Sequence, residues 1–323
     1  MPRPLLPLLA VGLTAGLAPS APKPELTRIG PVEFRGEVKG ELDVSGVAVV
    51  GKYLVIAADE TPLAQVLRKD SDTQYTVIHD VPLGAPDHEL DLEAVAAEGS
   101  TVYVTGSHNR VRFIGPKGGG GVTPVEEKRR KHRDQVFRFT LGPDGKPGPV
   151  ERMSLRDTLD AHPILRQFVP VASKENGIDI EGLAAKDGRL YFGFRGPVLR
   201  DNWVPVLSCT FGPTPGDVKV AYLQLHGRGV RDMAAVKEGF LVLAGPVGDG
   251  DTSTRIYFWD GRDGLDPAAM AAKPQLFGEL PDMKKAKAEG LAVLRDEGTA
   301  YELLLVWDGL PKGGPARYRL TRP

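Results

Sequence analysis

Glu93, Glu181 and Glu289 stand in similar surroundings, "LDLEAVAAEG", "IDIEGLAAKDG" and "KAEGLAVLRDEG". Each time an acid, a small residue and an alanine-bearing apolar run return in the same order. Aligning the alanine that follows each motif (Ala48, Ala96, Ala184, Ala234, Ala292) adds two further copies. One equivalent position then holds Ser45, Glu93, Glu181, Arg231 and Glu289, and two residues earlier stand Asp43, Asp91, Asp179, Gly229 and Lys287. Carboxylates gathered at one level repel unless a cation, a shared proton or a guanidinium compensates them. A set of oxygen ligands suits Ca²⁺ or Mg²⁺ better than a softer ion. The chemistry open to such a set is metal-assisted hydrolysis. Glu93, Glu181 and Glu289 would serve as ligands or general base, Asp91 and Asp179 as further ligands, and Arg195, Arg200 or Arg231 would stabilise a developing anion. The same acids can instead cap backbone N–H groups or pair with Arg195 and Arg231, holding the repeats in register.

The elements that must position these residues are short strands. Each copy is an apolar stretch, a turn marked by Gly51, Gly99, Gly188, Gly239 or Gly298, and a second apolar stretch. Glycine at a hairpin position supplies the positive φ that a tight turn demands. After each hairpin come further runs rich in β-branched and aromatic residues, such as "DQVFRFTLG" and "TRIYFWDG". The fifth copy has one such run, "ARYRLTR", and the missing partner lies at the other end of the chain in "LTRIGPVEFRG". The pattern predicts an all-β chain forming a single β-propeller of five four-stranded blades, closed by an N-terminal strand. Six blades are the alternative, because the interval between Glu93 and Glu181 is the widest; insertions at 110–134 and 154–177 account for it, the second partly helical.

In such a ring the starts of the first strands, the ends of the second strands and the connections between blades meet on one face. The ends of the second strands add Asp59, His108, Arg195, Asp249 and Asp308, and the connections add His88 and His226. Trp203 is the aromatic residue expected in a loop at this mouth. The basic run "EEKRRKHRD", Glu126 to Asp134, reads either as a solvated loop or as a flap that gathers an anionic substrate.

Composition removes other classes. With 41 Lys and Arg against 42 Asp and Glu the net charge is −1, so no global field favours nucleic acid. Neither a phosphate loop nor a dinucleotide fingerprint occurs, so no organic cofactor is expected, and Gly-x-Ser-x-Gly and His-Glu-x-x-His are missing. The single cysteine, Cys209, lies in an apolar run and reads as a core residue. The N-terminal "MPRPLLPLLAVGLTAGLAPSAPK" reads as a secretory signal over residues 1–20, with an uncleaved anchor as the alternative. The expectation is an exported monomer of one domain over 21–323, periplasmic or extracellular, without a stable membrane span after cleavage and meeting a small anionic molecule or an extracytoplasmic partner.

As a set, "DIEGLA", "LYFGFRGPVLR", "GRGVRDMAAV", "KAEGLAVL" and "LLLVWDG" resemble an uncharacterised bacterial family of exported proteins, a domain of unknown function, over nearly all of the chain after Glu25. More distantly, the Asp-x-Glu-Gly-Leu-Ala phrase looks like that of phytase-like esterase propellers and related calcium-binding propellers. That resemblance implies metal ions held in an acidic channel and hydrolysis of phosphoesters or lactones. Asp179, Glu181 and Glu289 match the phrase, Asp91 and Glu93 match it with Ala94 in place of glycine, and Ser45 and Arg231 depart from it. Two other functions stay open: a non-catalytic propeller binding a peptide, glycan or partner protein, and a glycosidase using two of the acids.

Overall fold

The computed structural model describes residues 24–111, 131–248, 250, 252–268, 273–283 and 286–322. The segment read as an export signal, most of the basic insertion (112–130), and Asp249 lie outside them. The chain opens with β1 (Leu26–Pro31) and β2 (Glu33–Arg35). The first blade is β3 (Val44–Val50), β4 (Tyr53–Ala58), β5 (Leu63–Ser71) and β6 (Gln74–Pro82); the second is β7 (Leu92–Glu98), β8 (Thr101–Gly106), β9 (Val136–Thr140) and β10 (Glu151–Met153). The third is β11 (Asp179–Lys186), β12 (Arg189–Gly196), β13 (Trp203–Thr210) and β14 (Gly216–Gln224); the fourth is β15 (Gly229–Val236), β16 (Gly239–Gly245), β17 (Arg255–Trp259) and β18 (Gln275–Glu279). The fifth comprises β19 (Lys287–Asp296), β20 (Ala300–Asp308) and β21 (Ala316–Thr321), and β1 pairs antiparallel with β21 to complete it. The molecule is thus a five-bladed β-propeller closed by its N-terminal strand. The first blade also carries β2, added parallel to the outer edge of β6.

Blades of a propeller bury both faces against their neighbours, so their strands read as continuous apolar runs with little alternation. All six residues of β4 are buried, as are the seven of β16. The core accordingly divides into five clusters, one at each blade junction. The cluster joining Val44, Leu54 and Phe34 to Ala292, Leu304 and Val306 closes the ring between the first and last blades. Five junctions account for the whole circle and leave no place for a sixth blade. Cys209 is fully buried between the second and third blades.

The insertion at 154–177 contains helix α1 (Arg156–Ala161) and two short 3-10 turns, Leu165–Gln167 and Ser173–Glu175. Leu155, Leu159 and Leu165 bury themselves against the second and third blades. Four of the five hairpin glycines have the expected positive φ: Gly51, Gly99, Gly188 and Gly298. Gly239 does not. It is glycine because a Cβ there would lie 2.2 Å from the carbonyl oxygen of Trp259 on the neighbouring strand. No helix among the described residues is long and apolar enough to cross a membrane.

Candidate functional site

The innermost strands β3, β7, β11, β15 and β19 run side by side around the axis, each touching the next, and β19 touches β3 again. Every one of them carries a register shift at the same place. The pairing with the second strand skips from Val44 to Gly46, Leu92 to Ala94, Ile180 to Gly182, Val230 to Asp232 and Ala288 to Gly290. The skipped residues are Ser45, Glu93, Glu181, Arg231 and Glu289. A bulged residue is released from the ladder and its side chain is re-aimed. Five successive bulges therefore build the position that the repeat alignment singles out.

Four of these side chains form the heart of the site. Arg231 donates through Nη1 to Oε2 of Glu181 at 2.7 Å and to Oε1 of Glu289 at 2.8 Å. Arg195, at the end of β12, pairs with Oε1 of Glu181 at 2.6 Å and with Asp179. Asp179 also accepts from Nδ2 of Asn109 at 3.3 Å. Glu93 makes no ion pair among the described residues, although one oxygen each from Glu93, Asp179 and Glu181 lies within 4.8 Å of the others. Asp91 accepts from the Ser107 hydroxyl and faces Arg133 at 3.8 Å. Ser45 turns elsewhere, donating to the carbonyl oxygen of Leu92 and so tying the first blade to the second.

Burial at this crowded end favours neutral carboxyls. It raises Glu93 well above the usual carboxylate range, helped by the charges of Glu181, Asp91, Asp179 and Glu289. Burial also pushes Glu289 up, against the opposing pull of Arg231, and Asp179 up, against that of Arg195. Asp59, at the end of β4, is pushed up to about 8 by burial and by Asp91, Asp43, Glu289 and Asp308, and its Oδ1 has no hydrogen-bond partner.

Several expected residues go elsewhere. His108 turns away from the axis; its Nδ1 donates to the carbonyl of Gly106 at 2.9 Å and its Nε2 accepts from the Leu155 N–H at 3.4 Å. Burial lowers it to about 4, so it is a neutral tie between the second blade and the insertion carrying α1. His226 stacks on Tyr257 and His88 on His132. Arg200 is exposed on a 3-10 turn and makes no ion pair with the acids among the described residues. Trp203 begins β13, its ring beside Gly264 in the fourth blade.

One buried acid escaped the sequence reading. Asp232, next to Arg231, is wholly buried, and its carboxylate accepts the N–H groups of Met233 and Leu291, both at 2.7 Å, and of Leu183. It thereby joins the third, fourth and fifth blades beneath the mouth. The signal was available: Gly46, Ala94, Gly182 and Gly290 occupy the matching position. A Cβ at Gly182 would meet Val230 at 2.5 Å, and one at Gly290 would meet Val306 at 2.3 Å. A charged residue where the other strands have none but small ones marks a special contact. Beyond it the channel is apolar. Ala48, Ala96, Ala184, Ala234, Ala292 and Met233 contribute to the walls of a cavity of about 170 Å³.

The family model described as "Protein of unknown function (DUF3616)" matches residues 43–117 and 148–321, so the chain belongs to that family. No curated protein matches the sequence. Among solved structures it is similar to the PQQ-bound aldose sugar dehydrogenase of Streptomyces coelicolor, with 16% identity, TM-score 0.45, and coverage of 93% of this chain and 98% of that one. It is also similar to the glutaminyl cyclase of Myxococcus xanthus, with 11% identity, TM-score 0.42, and coverage of 92% and 96%. A streptogramin B lyase matches at 10% identity and TM-score 0.39, covering 92% and 98%. Likeness at this level carries nothing about activity.

Proposed function

We propose that this member of the family holds a divalent cation, Ca²⁺ in preference to Mg²⁺, at Glu93, Asp179 and Glu181, and uses it to hydrolyse a phosphoester or lactone. The observation that carries this reading is the convergence of three carboxylate oxygens within 4.8 Å, one of them from Glu93, which makes no ion pair among the described residues. Ca²⁺ accepts irregular sets of protein oxygens, whereas Mg²⁺ demands near-ideal octahedral geometry and keeps several of its waters. Three protein carboxylates converging on one point therefore suit Ca²⁺. When bound, such an ion polarises a phosphoryl or carbonyl oxygen and makes nearby water more acidic. The chain supplies the rest. Arg195 and Arg231 pin Glu181, and Arg195 with Asn109 pins Asp179, so the oxygens are placed before any ligand arrives. Asp59, neutral near pH 7, is a proton donor in reserve.

Calorimetry of Ca²⁺ added to chelator-dialysed protein tests the reading, alongside turnover of chromogenic phosphomonoesters and lactones. One Ca²⁺ site is expected, with binding tighter at pH 8 than at pH 5 because Glu93 must lose its proton, and abolished by Glu93→Gln. Turnover should stop in chelator and return with the ion. Absence of a binding heat, or unchanged binding by the variant, would sink the proposal.

A second reading has its own observation. Both oxygens of Glu181 are engaged by guanidinium groups, and Asp179 by Arg195 and Asn109. On this reading the pairs fasten blades, and the mouth is a binding surface for a peptide, glycan or partner protein without turnover.

A further inference from the structure

The mouth is not charged evenly around its circumference. At the position two residues before each bulge, the first three blades carry Asp43, Asp91 and Asp179. The fourth carries Gly229, where a Cβ would lie 2.1 Å from the carbonyl oxygen of Arg195, so the approach of β12 forbids any side chain. The fifth carries Lys287. Beside this gap a cleft of about 760 Å³ opens between the fourth and fifth blades. Arg231, Lys287, Trp307, Asp308, Thr254 and Leu280 are among the residues lining it. Arg195 and Arg231 are committed to carboxylates, and Arg133 to Glu89 and Asn109. Lys287 is exposed, and its ammonium makes no hydrogen bond or ion pair among the described residues.

We propose that this cleft is the substrate pocket of the mouth and that Lys287 is its specificity-determining residue, pairing with an anionic group of the substrate while the apolar part lies on Leu280 and beside Trp307. The inference rests on the preceding reading, in which the mouth is where substrate reacts, and adds the entry side and the required charge. The acid arc of the first three blades repels an anion, and the cleft is the sector in which glycine and lysine replace aspartate. Its volume falls within the range of small-molecule pockets. A lone ammonium in a partly enclosed cleft recognises phosphate or carboxylate as a point charge, without the paired geometry of a guanidinium. Phosphate and carboxylate groups therefore share the required chemistry.

The test uses the full chain in chelator, following tryptophan fluorescence while phenyl phosphate, phenylacetate or phenol is added. Both anions, or one of them, should bind at least about tenfold more tightly than phenol. Lys287→Glu should weaken anion binding about tenfold or more, and Lys287→Arg should retain it. Preference for phenyl phosphate assigns the pocket to phosphoesters, and preference for phenylacetate to esters and lactones that carry a separate carboxylate. Equal binding of the anions by wild type and Lys287→Glu, no anion binding by wild type, or phenol binding as tightly as the anions would overturn the inference. Melting temperature checks that the variants are folded. Ca²⁺ calorimetry on the same samples separates the two proposals: anion binding through Lys287 without any Ca²⁺ site would overturn the metal reading alone, whereas a Ca²⁺ site lost in Glu93→Gln without anion selectivity would overturn this one alone.

Discussion

The two ends of the channel are made by the same five strands, yet one is crowded with charge and the other is apolar. At the mouth the wall residues sit on bulges, outside the hydrogen-bond ladder, and they include acids, a guanidinium and a hydroxyl. Three residues further along each strand the wall is alanine five times over. The difference shows which constraint acts where. Inside the regular ladder the strands converge, and side-chain volume decides what fits. At a bulge the side chain escapes that limit, and each repeat can diverge to a different charge, provided its neighbours answer it.

The largest expected effect comes from breaking the compensation at the mouth. Arg231→Met leaves Glu289 without its cation and Glu181 with one of its two. Urea unfolding should show a loss of about 3 kcal/mol or more at pH 8, smaller at pH 5 where Glu289, already raised by burial, protonates. If the loss is under about 1 kcal/mol, the acids at the mouth are not held by charge pairing. Next in size is Asp59→Asn. Asp59 sits near 8 in the folded chain against 3.8 for an ordinary aspartate. Below about pH 4 it is protonated in both states and does not affect stability. Between about pH 4 and 8 the unfolded chain ionises first, so Asp59 costs stability increasingly as pH rises. The variant should therefore match wild type near pH 3 and gain stability steadily as pH rises to 8, by less than the ~5 kcal/mol that the full shift implies, because solvent screens the half-buried carboxyl. A gain independent of pH would locate its origin in packing instead. Smallest is Ala292→Val, which extends into the apolar cavity and should change stability by under about 1 kcal/mol, with Ca²⁺ binding untouched. A change in Ca²⁺ affinity there would show that the two ends are coupled.

Much of this architecture was legible because a propeller repeats. Five hairpins, the surplus strand at one end and the deficit at the other were enough to expect the blades and their closure. The alignment also brought Ser45, Glu93, Glu181, Arg231 and Glu289 to one level, since equivalent residues in repeats occupy equivalent places. What it could not reveal was the bulge that aims them, because a skipped pair depends on the partner strand's register. Nor could it show that Arg231 reaches both Glu181 and Glu289, which depends on how three blades tilt toward one axis. His108 illustrates the same limit: its position at the end of a second strand pointed to the mouth, but the insertion carrying α1 offers it the Leu155 N–H and burial keeps it neutral.

The pairing of β1 with β21 sets an order on the birth of the molecule. The strand that closes the ring is made first and its partner last. Until β21 has been made, the fifth blade lacks two of its strands and leaves the first blade without a complete neighbour, so Val44, Val47 and Leu54 are open to water. Such non-local pairing folds slowly and leaves strand edges open meanwhile. The long wait for a partner almost three hundred residues away makes Leu26–Pro31 the segment through which a shortened or delayed chain would aggregate.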